Sequence, residues 1–126
     1  MNAVKAALDA ARRAQESTYS GVVTVTERKK VRDERSKLTE ERDVVVLEGQ
    51  PCRLSFETLK AARQTKSAAG IEQVIKLFLA PEVRISPGSR VTVTQDGMTA
   101  DYGCSGIPAI YPTHQEVILE PFRRWA

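Results

Sequence analysis

Histidine occurs once in this chain, at position 114, and cysteine only twice, at Cys52 and Cys104. Three such residues are too few for a zinc cage, so a Cys/His metal centre is excluded and no metal ligand is assigned. Aromatic residues are scarce as well: they make up 6% of the chain, and none shows the i, i+2 pairing of a base-stacking sheet. No apolar run approaches the roughly 20 residues of a membrane span. The opening stretch MNAVKAALDAARRAQ lacks the apolar centre of a secretion signal, so the thiols are expected to be reduced. The glycine patterns that cradle phosphates, GxxxxGK[ST] and GxGxxG, are missing too. Strong charge of one sign is the last absence. Nineteen basic residues face 16 acidic ones, a net charge of +3 that permits contact with nucleic acid without arguing for it.

Catalysis would have to be built on His114, at the entry to a strand in YPTHQEVILE. Nothing in its spacing brings a nucleophile and an orienting carboxylate together, and Glu116 and Glu120 share a strand face with no second convergent pair. No catalytic or cofactor-binding residue is assigned, and His114 is read as a capping, turn or interface residue. The expectation is a protein that is not an enzyme and carries no cofactor.

What is present is ordinary globular material. With 126 residues, 41% hydrophobic and 28% charged, the chain has the size of one folded unit with arms. Residues 3–16 read as a helix, with Asn2 as N-cap and Val4, Ala7, Leu8, Ala11 and Ala14 at helical spacing. This stripe is narrow and alanine-rich, so it either lies lightly on its own domain or docks on another subunit. VVTVT (22–26) and VVVL (44–47) are β-branched runs of strand length. QPCRLSF (50–56) alternates Cys52, Leu54 and Phe56 towards a core, which makes Cys52 a small inert hydrophobe. Residues 58–70 read as a loop or short helix. IEQVIKLFLAP (71–81) leans to strand because Pro81 stops it early.

Asp96-Gly97, between VTVT and MTADY, is a two-residue hairpin signal, since both central positions of a type I′ turn need positive φ. CSGIPAIYP (104–112) reads as a connection, and HQEVILE (114–120) as a strand with Val117 and Leu119 on one face. The predicted fold is mainly β: a small antiparallel barrel or sandwich of about seven strands, with an N-terminal helix and a long charged hairpin loop. Its expected division is a helical arm over 1–18 and a β domain over 19–126.

The charged loop is ERKKVRDERSKLTEERD, residues 27–43. Thirteen of its 17 residues are charged, seven basic and six acidic. It has no apolar face, and its near balance argues against an electrostatic DNA clamp. If both strands run through it, it projects roughly 28 Å at about 3.3 Å per residue. A compact domain of this length has a radius of gyration of only about 14 Å. Such a projection calls for a partner or a lumen.

Three stretches taken together resemble a known family: Pro-Cys-Arg-Leu-Ser at 51–55, KLFLAPE through PGSR at 76–90, and Tyr111 with THQE through LE at 113–120. Over residues 50–121 the chain resembles the small head–tail joining proteins of tailed bacteriophages and of defective prophages of Gram-positive bacteria. The resemblance implies a β-barrel of the head-closure or stopper kind, without catalytic residues, at the virion neck and assembled in the host cytoplasm. It also implies copies of the chain in a ring of about six or twelve, closed by symmetry. The implied partners are a portal or adaptor ring on one side and a tail-terminator or tail-completion protein on the other. Two rivals stay open: an adaptor or tail-terminator ring of the same neck, and a small basic β-barrel that binds nucleic acid. The candidate DNA-channel residues are Arg28, Lys29, Lys30, Arg32 and Arg35, touching phosphates without reading sequence. Candidate subunit contacts are Val4, Leu8 and Ala11 on the helix and Phe122, Arg123, Arg124 and Trp125 in the tail. The tail's alternative is to fold back on its own barrel.

Overall fold

A computed structural model describes residues 2–60, 71–104 and 106–125. Helix α1 (Ala3–Glu16) leads into seven strands: β1 (Gly21–Arg32), β2 (Thr39–Lys60), β3 (Ile71–Leu79), β4 (Arg90–Gln95), β5 (Met98–Cys104), β6 (Ala109–Ile110) and β7 (Gln115–Pro121). All pairings are antiparallel, in the order β3-β2-β1-β4-β5-β7-β6. A further ladder between β3 and β7 closes the sheet on itself, so β6 alone stands outside the circuit.

Alternation decides what the closed sheet encloses. Side chains of period two from every strand of the circuit meet inside: Val23 and Val25, Cys52 and Leu54, Leu77 and Leu79, Val91 and Val93, Tyr102 and Cys104, Val117 and Leu119. Cross-strand pairs such as Leu54–Leu77, Leu77–Val117 and Val25–Val91 stack these residues in layers. Two glutamines, Gln115 buried and Gln95 half-buried, complete the enclosure where main chain cannot. Gln95 bonds both backbone groups of Leu54, accepting from its N–H at 2.8 Å and donating to its C=O at 3.0 Å, where β1 has ended. Gln115 donates to the carbonyls of Ala80 and Val83 at 2.7 and 2.6 Å and so pins the chain that leaves β3. Gly21 is needed beside this seam: a Cβ there would lie 3.0 Å from the Gln95 side-chain oxygen and 3.2 Å from the Cys52 carbonyl oxygen.

The fold class agrees with the sequence reading, but the strand count of seven arises differently. VVVL and QPCRLSF are not two strands; both belong to the 22-residue β2. Gly49 has φ of +66° and falls between Leu47 and Gln50, where the register with β1 shifts, so Glu48-Gly49 forms a bulge within one strand, and Gln50 and Pro51 pair regularly with Val23 and Val22. In compensation, the connection read at 104–112 contains β6, paired to β7 through Ala109–Glu116 and Ile110–Gln115. Residues 58–60, read as loop or helix, are strand; the rest of that reading, 61–70, lies outside the described residues. Phe56, read as a core residue, is half exposed because β2 has there run past the end of the enclosed layer. Three local expectations hold. Asp96 and Gly97 both have positive φ and join β4 to β5, 71–79 is strand, and Asn2 caps α1 by accepting from the Lys5 N–H at 2.8 Å.

Candidate interaction surfaces

β1 and β2 outlast the sheet that holds them. β4 accompanies β1 only from Val22 to Thr26, whereas the β1–β2 ladder continues through six further pairs, from Glu27–Val44 to Arg32–Thr39. The charged segment is therefore a free two-stranded ribbon of about 20 Å, at roughly 3.3 Å per residue, shorter than the sequence estimate because the tip at 33–38 is a turn. In that turn Asp33 accepts from the N–H groups of Arg35 and Lys37, the latter with φ of +60°. No alternation of apolar residues marks the ribbon, since both its faces meet solvent.

All five candidate DNA-channel residues lie on this ribbon or its tip, and all are exposed. They are not equivalent. Arg28 lies 3.6 Å from Glu41 and 3.9 Å from Asp43, and Lys29 lies 3.8 Å from Glu27. Among the described residues, no carboxylate comes within ion-pair distance of Lys30, Arg32 or Arg35.

The helix is attached almost as lightly as the ribbon. None of its residues is buried, and Val4 is 67% exposed. Its apolar stripe is therefore not laid on its own sheet. A 2.6 Å contact from Arg12 to Glu82 ties it to the body, and Glu16 braces the same guanidinium at 3.1 Å. The hydrogen bond from Arg12 holds the Glu82 carboxyl below its ordinary range, and the contacts with Glu82 and Glu16 raise the guanidinium pKa. An exposed pair of this kind contributes about 0–1 kcal/mol.

The tail divides. Phe122 and Trp125 pack edge to face at 5.2 Å, with the Arg90 guanidinium 6.0 and 5.5 Å from their ring centres. These two aromatics are folded against their own chain, and Arg123 and Arg124 remain exposed. Between tail and sheet opens a groove of about 810 Å³ bordered by Pro87, Cys104, Pro121 and Phe122.

A cluster that the sequence reading did not assemble lies on the outside of β2, β3 and β7. His114 stacks on Tyr111 with ring centres 4.9 Å apart, and Phe78 lies 5.8 Å away. The Arg53 guanidinium covers Phe78 at 4.9 Å. One imidazole nitrogen meets the Thr113 hydroxyl at 2.9 Å and the other the Glu116 carboxylate at 2.9 Å. Lys76 then bridges Glu116 and Glu57 at 3.7 Å each. A hydroxyl, an imidazole and a carboxylate in line is the order of a nucleophilic relay, but the groove beside the tail does not border it. The arrangement instead closes a turn, in which the Tyr111 N–H donates to the His114 carbonyl at 2.8 Å. The signal was there to read: His114 and Glu116 stand at i, i+2 and so share a strand face. All three family-resembling stretches converge here and at Gln115 beneath it.

Cys52 lies in the core, as its alternation predicts, and Cys104 is buried too. Burial pushes the Cys52 thiol up to about 11 and raises that of Cys104 as well.

No family model matches the chain, and no curated protein matches it. A solved structure to which it is similar is that of the phage-like element PBSX protein xkdH from Bacillus subtilis. The two share a TM-score of 0.41 and 10% identity over 80% of this chain and 90% of that one. A likeness at that level carries no argument about function.

Proposed function

We propose that this chain is a non-enzymatic structural subunit of a bacteriophage or prophage neck, closing the DNA-filled head and joining it to the tail as a ring of copies. The observation that carries the reading is the contrast between a finished interior and unfinished appendages. The closed sheet buries its own core, but the helix stripe and the ribbon find no partner among the described residues. A ring subunit needs two different patches, because each copy meets its neighbour with a surface unlike the one it offers on the other side. The helix with Val4, Leu8 and Ala11 supplies one such patch, and the tail arginines with the adjoining groove supply another. The convergence of 51–55, 76–90 and 111–120 supports the family resemblance, since the three stretches form one structural unit instead of scattered matches. In this reading the ribbon reaches towards the duct, where Lys30, Arg32 and Arg35, free of ion pairs among the described residues, contact DNA phosphates without sequence preference.

Deleting residues 29–41 tests the role while sparing the closed sheet. Heads carrying the shortened protein are expected to leak DNA or to fail at tail attachment, and normal infectious particles would refute the assignment. Co-sedimentation of the intact protein with portal-containing heads tests the tier.

A further inference from the structure

The ribbon carries its charge by strand. On β1, residues 27–32 hold Arg28, Lys29, Lys30 and Arg32 against Glu27, a net of +3; on β2, residues 39–44 hold Glu40, Glu41 and Asp43 against Arg42, a net of −2. Each strand also has an open edge. Beyond Thr26 β1 has lost β4, and β2 meets β3 only from Cys52 onward, so among the described residues neither outer edge of the ribbon is paired. On the β2 side this edge continues into Val45 and Val46, which are 54% and 40% exposed.

An edge of unpaired N–H and C=O groups is a template for another strand, and proteins ordinarily block it with charge. That block works when the approaching edge has the same sign. Here the two edges have opposite signs, so a copy of the ribbon is repelled from a like edge and attracted to the unlike one. β1 runs out to the tip and β2 returns, so ribbons pointing the same way place β1 of one beside β2 of the next in antiparallel sense. We infer that the ribbons of neighbouring copies pair edge to edge, basic β1 against acidic β2, making a continuous intersubunit sheet. A net-basic strand then lies beside a net-acidic one at every junction, and opposite charges facing each other across strands stabilise the pairing. The contact is head to tail, so it propagates to a closed ring or a filament and not to a two-fold dimer. This deepens the ring reading above by naming the contact, and it gives the ribbon cations a second occupant besides DNA.

Sedimentation of the purified chain between about 20 mM and 500 mM salt tests it, a range over which screening between exposed charges rises steeply. The expected result is assembly to at least twice the monomer mass of 13.9 kDa at low salt, and monomer at high salt. Lys29→Glu, Lys30→Glu and Arg32→Glu together make both edges acidic; Glu40→Lys and Glu41→Lys together make both basic. Each variant alone is expected to stay monomeric, and an equal mixture to assemble. A chain carrying all five substitutions restores opposite edges with the polarity exchanged, and it is expected to assemble like the parent. This last variant separates the pairing from mere loss of ribbon structure, which circular dichroism reads independently. A parent that is monomeric at every salt, an all-acidic variant that assembles unaided, or a five-fold variant that does not assemble overturns the inference. Heads that bind a monomeric parent overturn only the pairing, and an assembling protein that ignores heads overturns only the neck role.

Discussion

β1 and β2 each lead two lives, and the boundary between them lies within a few residues. Inside the closed sheet, Val23, Val25, Cys52 and Leu54 are all but inaccessible, and every backbone neighbour is supplied. Six pairs further along the same hydrogen-bonded ladder, nothing is buried and nearly every side chain is charged. The ladder is continuous, so pairing alone does not make a stable region; enclosure does. A two-stranded ribbon without an apolar face gains little from folding by itself. Its persistence here rests on being a direct extension of strands that the core already holds paired.

Substitutions ordered by expected cost sharpen this contrast. Leu77 is fully buried at the centre of the core, and Leu77→Ala is expected to lower unfolding free energy by about 2–5 kcal/mol in denaturant titration. Gln115→Leu removes the two bonds that pin Ala80 and Val83 and leaves both carbonyls unpaired, for an expected loss of about 1–3 kcal/mol. Gly21→Ala forces the Gln95 seam apart, and about 1–3 kcal/mol is expected on the same titration. On the ribbon, Lys30→Ala should fall within about 0.5 kcal/mol, and a cost equal to that of Gln115→Leu would erase the distinction between enclosed and free ladder.

The smallest effect belongs to the helix. Arg12→Ala is expected to raise amide exchange in residues 3–16 while leaving the global midpoint in place. Acid should do the same. The Glu82 carboxyl is depressed in the folded chain, so its contribution is complete above its ordinary value of 4.5 and is lost as pH falls through the lowered one.

Local chemistry was legible where a residue type forces a conformation. Asp96-Gly97 could be read as a hairpin because few other pairs tolerate positive φ twice, and Asn2 as a cap because its oxygen reaches a free N–H of the first turn, that of Lys5. The alternation in 50–55 and 115–119 placed Cys52, Leu54, Val117 and Leu119 correctly for the same kind of reason. What escaped was long-range. Gly49-Gln50-Pro51 has the composition of a turn, and pairing of Gln50 and Pro51 with Val23 and Val22 of β1 keeps β2 whole. Prolines at 108 and 112 hid the two-residue β6. The Gln95 and Gln115 seams leave no periodic trace, because each acts on a backbone segment more than 30 residues away.

Of the surfaces, the ribbon's position was legible from its charge, but its separation into a basic and an acidic strand was not, since that depends on where the turn falls. The contact of the tail's aromatics with Arg90 was not legible, because that arginine is remote in sequence.

The unbroken course of β2 has a mechanical side. One end of this strand belongs to the charged ribbon, and the other, from Glu57 to Lys60, pairs with residues 71–74 of β3 beyond the reach of β7. A tug on the tip is thus transmitted along covalent backbone to the far side of the molecule, without crossing any loop that would absorb it. Bonds lying perpendicular to that pull yield together in shear and not one by one, so this small body is built to relay a push or a strain from end to end.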